Sequence, residues 1–547
     1  MDHKMYHKWI YRLGVVFFIL FAIVGLRMFY LGIIKGDELA AKASHQYTGG
    51  IDYYQYGRGD FLDTHGRKIT NNPSACLVLF PAALADEATV AKSLAPLIDY
   101  SADSIEKRIA AAVNSGQSAF ILKSNLTEAE IGSVSGLQEA GVHVLSLAAR
   151  YSSTAPAIHI LGFLEEEEGG GYHGVSGLEL RYDDYLQGRA GYTVAALFDE
   201  RGRQLDGNGF VVIPSDQLDT ACDVRLTLDL DFQEKLEQAL APYEGAAVVL
   251  DVANGDILAM ASSPDINPYL QTEIPSDDAY VNKTLGFYPP ASTFKILLAA
   301  AALEEGIQPP EDYLCEGYYT LPNGRQVRCW KEEGHGEQDM AHALANSCNS
   351  YFIKLGLQLG GETIKEYAAL WGLTEQRIEG YPFYTEQEGN IEFNDAVPAD
   401  VANASIGEQG VRLSPLMVAQ MIATVANGGQ RVYPRLVKDI VNQSGEVVAN
   451  LPAIQPLQVI SEKTAAKIRQ MLVLAVEEGT ALNAAQATVS SGGKTGTTQD
   501  AGVWFAGFAP AENPQWVVVV YISNGSAGGR EGAEVFAEII SAMDALR

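Results

Sequence analysis

The chain has 547 residues, of which 47% are hydrophobic and 19% charged, and its formal net charge is -30. That length exceeds one compact core and predicts two or more domains, while the apolar fraction excludes a largely disordered chain. The acidic balance excludes a nucleic-acid binder, which needs basic surface to meet phosphates.

At the N-terminus Lys4, Lys8 and Arg12 precede an uninterrupted apolar run, Leu13 to Leu26, and after Arg27 apolar residues resume to Ile34. The first run alone has the length of a signal-peptide core, but no small-x-small cleavage site follows it. Counted through Arg27 it reaches the ~20 residues that span a bilayer. The reading is a cytoplasmic tail over 1–12 and an uncleaved single-pass anchor over 13–34. Trp9, Tyr11 and Tyr30 suit the interfaces, and the basic end keeps the N-terminus cytoplasmic and the body outside. Arg27 either snorkels from the outer end or meets a polar group on a partner helix. Asp37 to Ser44 predicts a helix continuing outward.

Strand-like and turn-like segments then alternate to about residue 240, broken by glycine-rich stretches such as "EEEEGGGYHG" (Glu165 to Gly174). "LTLDLDFQEKLEQAL" (Leu226 to Leu240) changes its apolar period from two to helical, which predicts the last strand and a connecting helix of a first region, 35–240. A second region, 241–547, opens with "AAVVLDVANGDILAMAS", two apolar strands around Asn254-Gly255, a strong hairpin signal. A long apolar helix from Ser292, a buried helix over Leu416 to Ala426, adjacent strands "WFAGFAP" and "WVVVVYIS" and a closing helix follow. Such an order predicts a sheet covered by helices and built from both ends of the region.

Five cysteines are present: Cys76, Cys222, Cys315, Cys329 and Cys348. Outside the cytoplasm a disulfide is allowed, though the odd count leaves one thiol over. No Cys/His spacing reads as a metal site, and His335, between two glycines, reads as a loop residue.

Ser-x-x-Lys occurs at Ser104-Lys107, Ser292-Lys295 and Ser491-Lys494, so context must separate the pairs. Pro289-Pro290 cannot continue a helix backward, which puts Ser292 in a first helical turn. Free N–H groups and the positive dipole end gather there and can hold an oxyanion. Lys295 lies one turn on, on the same face. The apolar residues after it desolvate its ammonium and lower its pKa toward that of a base, which a serine nucleophile needs. Downstream stand Ser347-Cys348-Asn349 and Lys494-Thr495-Gly496-Thr497. Ser347 can relay a proton to a leaving amine, and Asn349 can hold a substrate amide. Lys494 can bind a carboxylate and, as a nearby cation, help keep Lys295 neutral. Thr495 and Thr497 offer hydroxyls to that carboxylate, and Gly496 lets a substrate strand lie close. The Thr497 N–H is a candidate second oxyanion donor beside the helix start.

Three such motifs in this order mark serine β-lactamases and penicillin-binding proteins. The chain resembles the class B penicillin-binding proteins, the monofunctional DD-transpeptidases, over nearly its whole length. "GLRMFYLGIIKGDELAAKA" is similar to the anchor and first outer helix of that class, and "GRGDFLDTHGRKI" and "GVSGLELRYDDYLQGRAG" to its N-terminal motifs. "ASIGEQG" and "WFAGFAP" resemble recurring transpeptidase segments. The resemblance implies an α/β (α+β) transpeptidase domain with a mostly antiparallel sheet covered by helices. An elongated α+β pedestal and one transmembrane helix would precede it.

It also implies peptidoglycan cross-linking through a Ser292 acyl-enzyme with release of D-Ala, trapping by β-lactams, no cofactor, and a SEDS-type glycan polymerase as partner. Three positions depart from the pattern: Ala291 where glycine is common, Asn282-Lys283-Thr284 where Asn-Arg-Ala is expected, and Glu408 where a shorter motif is common. No wall-binding repeats are expected after Arg547. A disulfide from Cys329 to Cys315 or Cys348 is one expectation; if Cys348 took part, redox state would move Ser347 and Asn349. A DD-carboxypeptidase differs only in its acceptor, water. A β-lactamase would need a deacylating water and its base but no long pedestal. A bifunctional class A enzyme would need a glycosyltransferase domain, for which residues 1–240 carry no acidic signature. An inactive scaffold for a polymerase is opposed by the intact Ser292, Lys295 and Lys494.

Overall fold

The computed structural model describes residues 3–30, 35, 48–53, 58–117, 119–137, 139, 141–166, 172–188, 192–197, 210–214, 220–266, 277–307, 313–381, 391–498, 502–525 and 529–546. Met1–Tyr56, Ser74–Leu147 and Arg189–Asp219 make one compact unit; Gly57–Pro73, Ala148–Gly188 and Thr220–Arg547 make a second. The chain therefore passes between units several times, and three segments of the expected 35–240 region, 57–73, 148–188 and 220–240, belong to the larger unit.

The smaller unit begins with a helix, His3–Phe29, in which Tyr11–Phe29 has a mean hydropathy of 2.1 and no buried share. By length and composition it can cross a bilayer. Residues 31–34 and the helix expected over Asp37 to Ser44 lie outside the described residues. A three-stranded sheet, ordered Phe120–Lys123, Asn72–Leu79, Val142–Ala149, is packed by helices Glu87–Ile98 and Ala102–Asn114. Asp86, Ser101 and Thr127 cap successive helices by accepting N–H groups of the first turn, as short polar side chains do. Val90, Leu94 and Ile98, then Ile105 and Ile109, turn one face of each helix onto Leu77, Leu79 and Leu122. Ser104-Lys107 lies on the solvated side, where Lys107 pairs with Asp103 at 2.7 Å and both are 75% exposed; this Ser-x-x-Lys is a surface pair.

The larger unit is built on five antiparallel strands: β1 (Gly245–Asp251), β2 (Ile257–Ser263), β3 (Gly492–Thr498), β4 (Gly502–Ala509) and β5 (Trp516–Ile522), in the order β2-β1-β5-β4-β3. Gly255 has φ +78° in the β1–β2 turn, as the Asn-Gly signal requires. Strand β5 is apolar throughout because both faces are covered. Val517, Val519 and Tyr521 join the core of helices α1 (Lys295–Glu304) and α4 (Pro415–Ala426); Val518, Val520 and Ile522 join Leu236, Leu240 and helix α6 (Arg530–Ala545). Helices α2 (Met340–Ala345), α3 (Asn349–Leu359) and α5 (Glu462–Glu477) complete the first layer. The stretch Glu165 to Gly174, read as a break, contains a short antiparallel pair, Leu164–Glu166 with Tyr172–Gly174.

The two N-terminal motifs meet in this unit. Glu179 accepts Arg150 Nε at 2.6 Å and Arg58 Nη2 at 2.7 Å, and Arg150 Nη1 donates to Gly59 O at 2.7 Å. Glu179 and both arginines are buried. A Cβ on Gly59 would stand 1.9 Å from Cys222 O, so only glycine lets the strand Cys222–Leu226 close on the motif. Replacing Glu179 with alanine leaves two buried guanidinium groups without their shared carboxylate. It is expected to destabilise the unit by ~3–5 kcal/mol, read as a lower midpoint in chemical denaturation.

Candidate active site

Pro289 and Pro290 lead into a 3₁₀ turn, Ala291–Phe294, and the α-helix starts at Lys295. The helix thus begins three residues later than the sequence predicts, and Ser292 sits in the tighter turn before it. The turn is braced from outside: Trp504 Nε1 donates to Pro289 O at 3.0 Å, Ala291 N donates to Gly407 O at 2.9 Å, and Thr293 Oγ1 donates to Pro290 O at 2.7 Å.

Ala291 has φ +49°, a left-handed conformation that costs a residue with a Cβ about 1–2 kcal/mol. This accounts for the expectation of glycine there. A Cβ on Gly407 would lie 2.0 Å from Ala291 O, so the facing segment "SIGEQG" must be glycine at that point. Ala291→Gly relieves the strain but frees the unfolded chain by a comparable amount. It is expected to leave stability within ~1 kcal/mol of wild type, whereas the β-branched Ala291→Val loses at least ~1 kcal/mol; denaturation midpoints measure both.

Lys295 is fully buried in the first turn of an all-apolar helix, Ile296 to Ala302. Its Nζ lies 3.0 Å from Ser292 Oγ, 2.9 Å from Ser347 O, 2.6 Å from Asn349 Oδ1 and 3.4 Å from Ser347 Oγ. Burial pushes its ammonium down to about 8, against a weaker upward pull from Cys348, Cys329 and Glu408. A neutral amine has two protons and one lone pair. With the protons given to Ser347 O and Asn349 Oδ1, the lone pair faces the Ser292 hydroxyl. Ser347 is itself in the left-handed region, φ +56°, at the bend between α2 and α3.

Lys494 lies on the edge strand β3, buried, and donates to Thr495 O at 2.9 Å. Burial first, and then the charge of Lys295, push it well below the ordinary lysine range. Thr497 is exposed and Thr495 buried. A Cβ on Gly496 would stand 3.1 Å from Pro290 O, so β3 runs tight against the serine turn. As an edge strand, β3 can accept an added substrate strand. Ser491, the other member of that Ser-x-x-Lys, is buried in the segment leading into this strand.

The five cysteines are free thiols, so neither expected disulfide is formed. Instead Cys315, Cys329, Cys348 and His335 bring three sulfurs and an imidazole nitrogen within 4.8 Å of one another. His335 Nδ1 is 3.5 Å from both Cys315 and Cys329 Sγ, close to the ~3.5–3.9 Å expected between ligands of a tetrahedral ion with bonds of ~2.0–2.3 Å. The donor set fits a thiophilic divalent cation in a closed, structural site. Cys329 Sγ also accepts Asn349 N–H at 3.3 Å, and Cys348 is the N-cap of α3. Hydrogen bonding from Cys348, and from His335 and backbone N–H groups, pulls the Cys329 thiol far below its ordinary range. No metal was expected from the sequence; His335 does lie in a loop, which it shares with Cys329, while Cys315 and Cys348 come from other elements, so the four ligands form no short-range motif.

Comparison with known proteins adds an independent line. Residues 245–541 match the family model for the penicillin binding protein transpeptidase domain, and residues 55–209 match the penicillin-binding protein dimerisation domain. Stage V sporulation protein D of Bacillus subtilis is 30% identical over 95% of this chain and 82% of its own length. Peptidoglycan D,D-transpeptidase MrdA of Acinetobacter baumannii is 27% identical over 95% of this chain and 86% of its own. A crystal structure titled as the D,D-transpeptidase domain of a peptidoglycan glycosyltransferase from Eggerthella lenta superposes with a TM-score of 0.62 at 22% identity, covering 89% of this chain and 98% of that one; at that identity the likeness concerns the fold.

Proposed function

This chain belongs to the penicillin-binding protein transpeptidase family, and on that premise we propose how its own residues carry out the reaction. It is a serine-type peptidoglycan D,D-transpeptidase that binds β-lactams. The observation that carries the assignment of residues is the single lysine amine within hydrogen-bond reach of Ser292 Oγ, Ser347 and Asn349.

Lys295 takes the Ser292 proton as Oγ attacks the penultimate D-Ala carbonyl of a donor stem peptide. The N–H groups of Ser292 and Thr497 receive the oxyanion. Ser347 passes a proton to the departing terminal D-Ala amine, leaving an acyl-enzyme, and Asn349 holds the donor's amide. An amine of a neighbouring stem peptide then attacks the ester and regenerates Ser292. Thr495 and Thr497 take the donor's terminal carboxylate on the β3 edge, with Gly496 admitting the peptide backbone and Lys494 adjacent. The four-ligand cluster would hold its cation through Cys315, Cys329, Cys348 and His335. Such an ion supplies structural closure and no redox or acid chemistry of its own.

The apolar N-terminal helix is the membrane anchor, and we infer that its basic end stays cytoplasmic while the catalytic unit works outside. Residues 35–240 supply a non-catalytic pedestal, except where 57–73, 148–188 and 220–240 belong to the catalytic unit. Anchor and pedestal are the surfaces offered to a SEDS-type polymerase. Fluorescent penicillin labelling that is present in wild type and absent in Ser292→Ala tests the assignment. An unlabelled wild type overturns it, and rapid deacylation moves the reading to a hydrolase.

A further inference from the structure

Thr480 lies outside all three motifs, in the loop after α5, yet it joins two of them. Its N–H donates to Ala345 O at 3.0 Å, and Ala345 ends the helix that leads to Ser347. Its Oγ1 is 2.9 Å from Thr495 Oγ1 and 3.2 Å from the same Ala345 carbonyl. Gly479 makes the approach possible, since a Cβ there would stand 2.4 Å from Ala345 O. From the other side, a Cβ on Gly529 would stand 2.8 Å from Thr495 Cβ. The Thr495 side chain is therefore wedged between Thr480 and the turn before α6, with its hydroxyl aimed at Thr480.

A hydroxyl has one proton and two lone pairs. Two arrangements satisfy this pair. If Thr495 donates to Thr480, and Thr480 to Ala345 O, then Thr495 presents only lone pairs to a ligand. If Thr480 donates to Thr495, the Thr495 proton is free for a ligand. Ala345 O already receives the Thr480 N–H, so the second arrangement leaves no carbonyl unpaired. A carboxylate accepts and never donates when ionised, so its arrival selects the second arrangement.

We propose that Thr480 is a positioning residue that makes Thr495 a hydrogen-bond donor toward the substrate's terminal carboxylate, and that fixes the β3 edge to the end of α2 beside Ser347. The inference rests on the transpeptidase reading of Thr495.

The test uses the full chain, with benzylpenicillin and its methyl ester as probes and the second-order rate of acylation of Ser292 as the readout. Thr480→Val keeps the shape and removes the hydroxyl. It is expected to lower acylation by the free acid roughly 10- to 100-fold, the range for a hydrogen bond to a charged group. Acylation by the ester should change less than ~3-fold, and Thr480→Ser should restore the acid rate. Thr480→Val in a Thr495→Val background should add nothing further. Equal losses for acid and ester, or a Thr480→Val rate equal to wild type, overturn the inference. A wild type that neither probe acylates overturns the transpeptidase reading instead, and the two failures are distinct.

Discussion

Replacing Lys295 with alanine is expected to lower acylation of Ser292 by penicillin roughly 10²- to 10⁴-fold, the range for losing a positioned general base. The competing base would be Lys494, but its Nζ is bonded to Thr495 O, whereas Lys295 Nζ is 3.0 Å from Ser292 Oγ. The loss should be one of rate more than of fold. Alanine suits the helix, and the change removes a buried ammonium while leaving Ser347 O and Asn349 Oδ1 short of a donor, a cost of ~1–3 kcal/mol. Lys295→Arg should not rescue, because a guanidinium stays protonated.

The pH dependence is a second signature of the same residue. The neutral amine is the active form, and burial places its titration at about 8. About a tenth of the lysine is then neutral at pH 7 and nine tenths at pH 9, so the wild-type rate should climb roughly tenfold across that interval and level off. The alanine variant should show no such limb. Stopped-flow acylation against pH, with circular dichroism to check the fold, measures both. Near-normal acylation in Lys295→Ala would move the base role elsewhere.

Legibility from sequence followed the range of the interactions. The Asn254-Gly255 hairpin, the apolar run of β5 and the buried helix at Pro415–Ala426 are set by residues close in the chain, and they form where periodicity puts them. Pro289-Pro290 marked the helix start to within a turn, because proline acts locally; the 3₁₀ start reflects bracing by Trp504 and Gly407, which are distant. Segments 57–73 and 148–188 precede the boundary expected near residue 240 yet lie in the larger unit, because what joins them to it is long-range: Phe61 pairs with Val224, and Phe61, Ile158, Leu161 and Leu178 share one core with α1 and α4. The serine, lysine and asparagine of the site were legible as motifs. Thr480 was not, because a lone hydroxyl in a loop has no pattern, and its partners, Ala345 and Thr495, are joined to it only by the fold.

The largest stability effect is expected at the cysteine–histidine cluster. The purified chain should carry about one zinc, and a strong chelator that removes it should lower both the denaturation midpoint and the acylation rate, the latter at least ~10-fold. The ligand atoms lie within 4.8 Å of one another, and three of the four residues are buried. Without an ion, thiols and imidazole must share protons in a site that offers no carboxylate. With one, three thiolates and a neutral imidazole are satisfied together, and the binding free energy becomes folding free energy, as it does in small zinc domains. The coupling to catalysis runs through one contact and one chain neighbour. Cys329 Sγ accepts the Asn349 N–H, and Cys348 stands between Ser347 and Asn349 at the start of α3. Releasing the cluster frees the strained bend at Ser347 and the amide that holds Lys295, and a displacement of ~1 Å at a catalytic group can cost ~10²-fold. Cys329→Ser should lower zinc content and acylation together, while reductant alone should leave the wild-type rate unchanged because the thiols are already free. Elemental analysis, thiol titration and acylation kinetics separate the cases. A folded chain with no zinc and full acylation would remove the ion from the account, and a rate that rises with reductant would restore the disulfide.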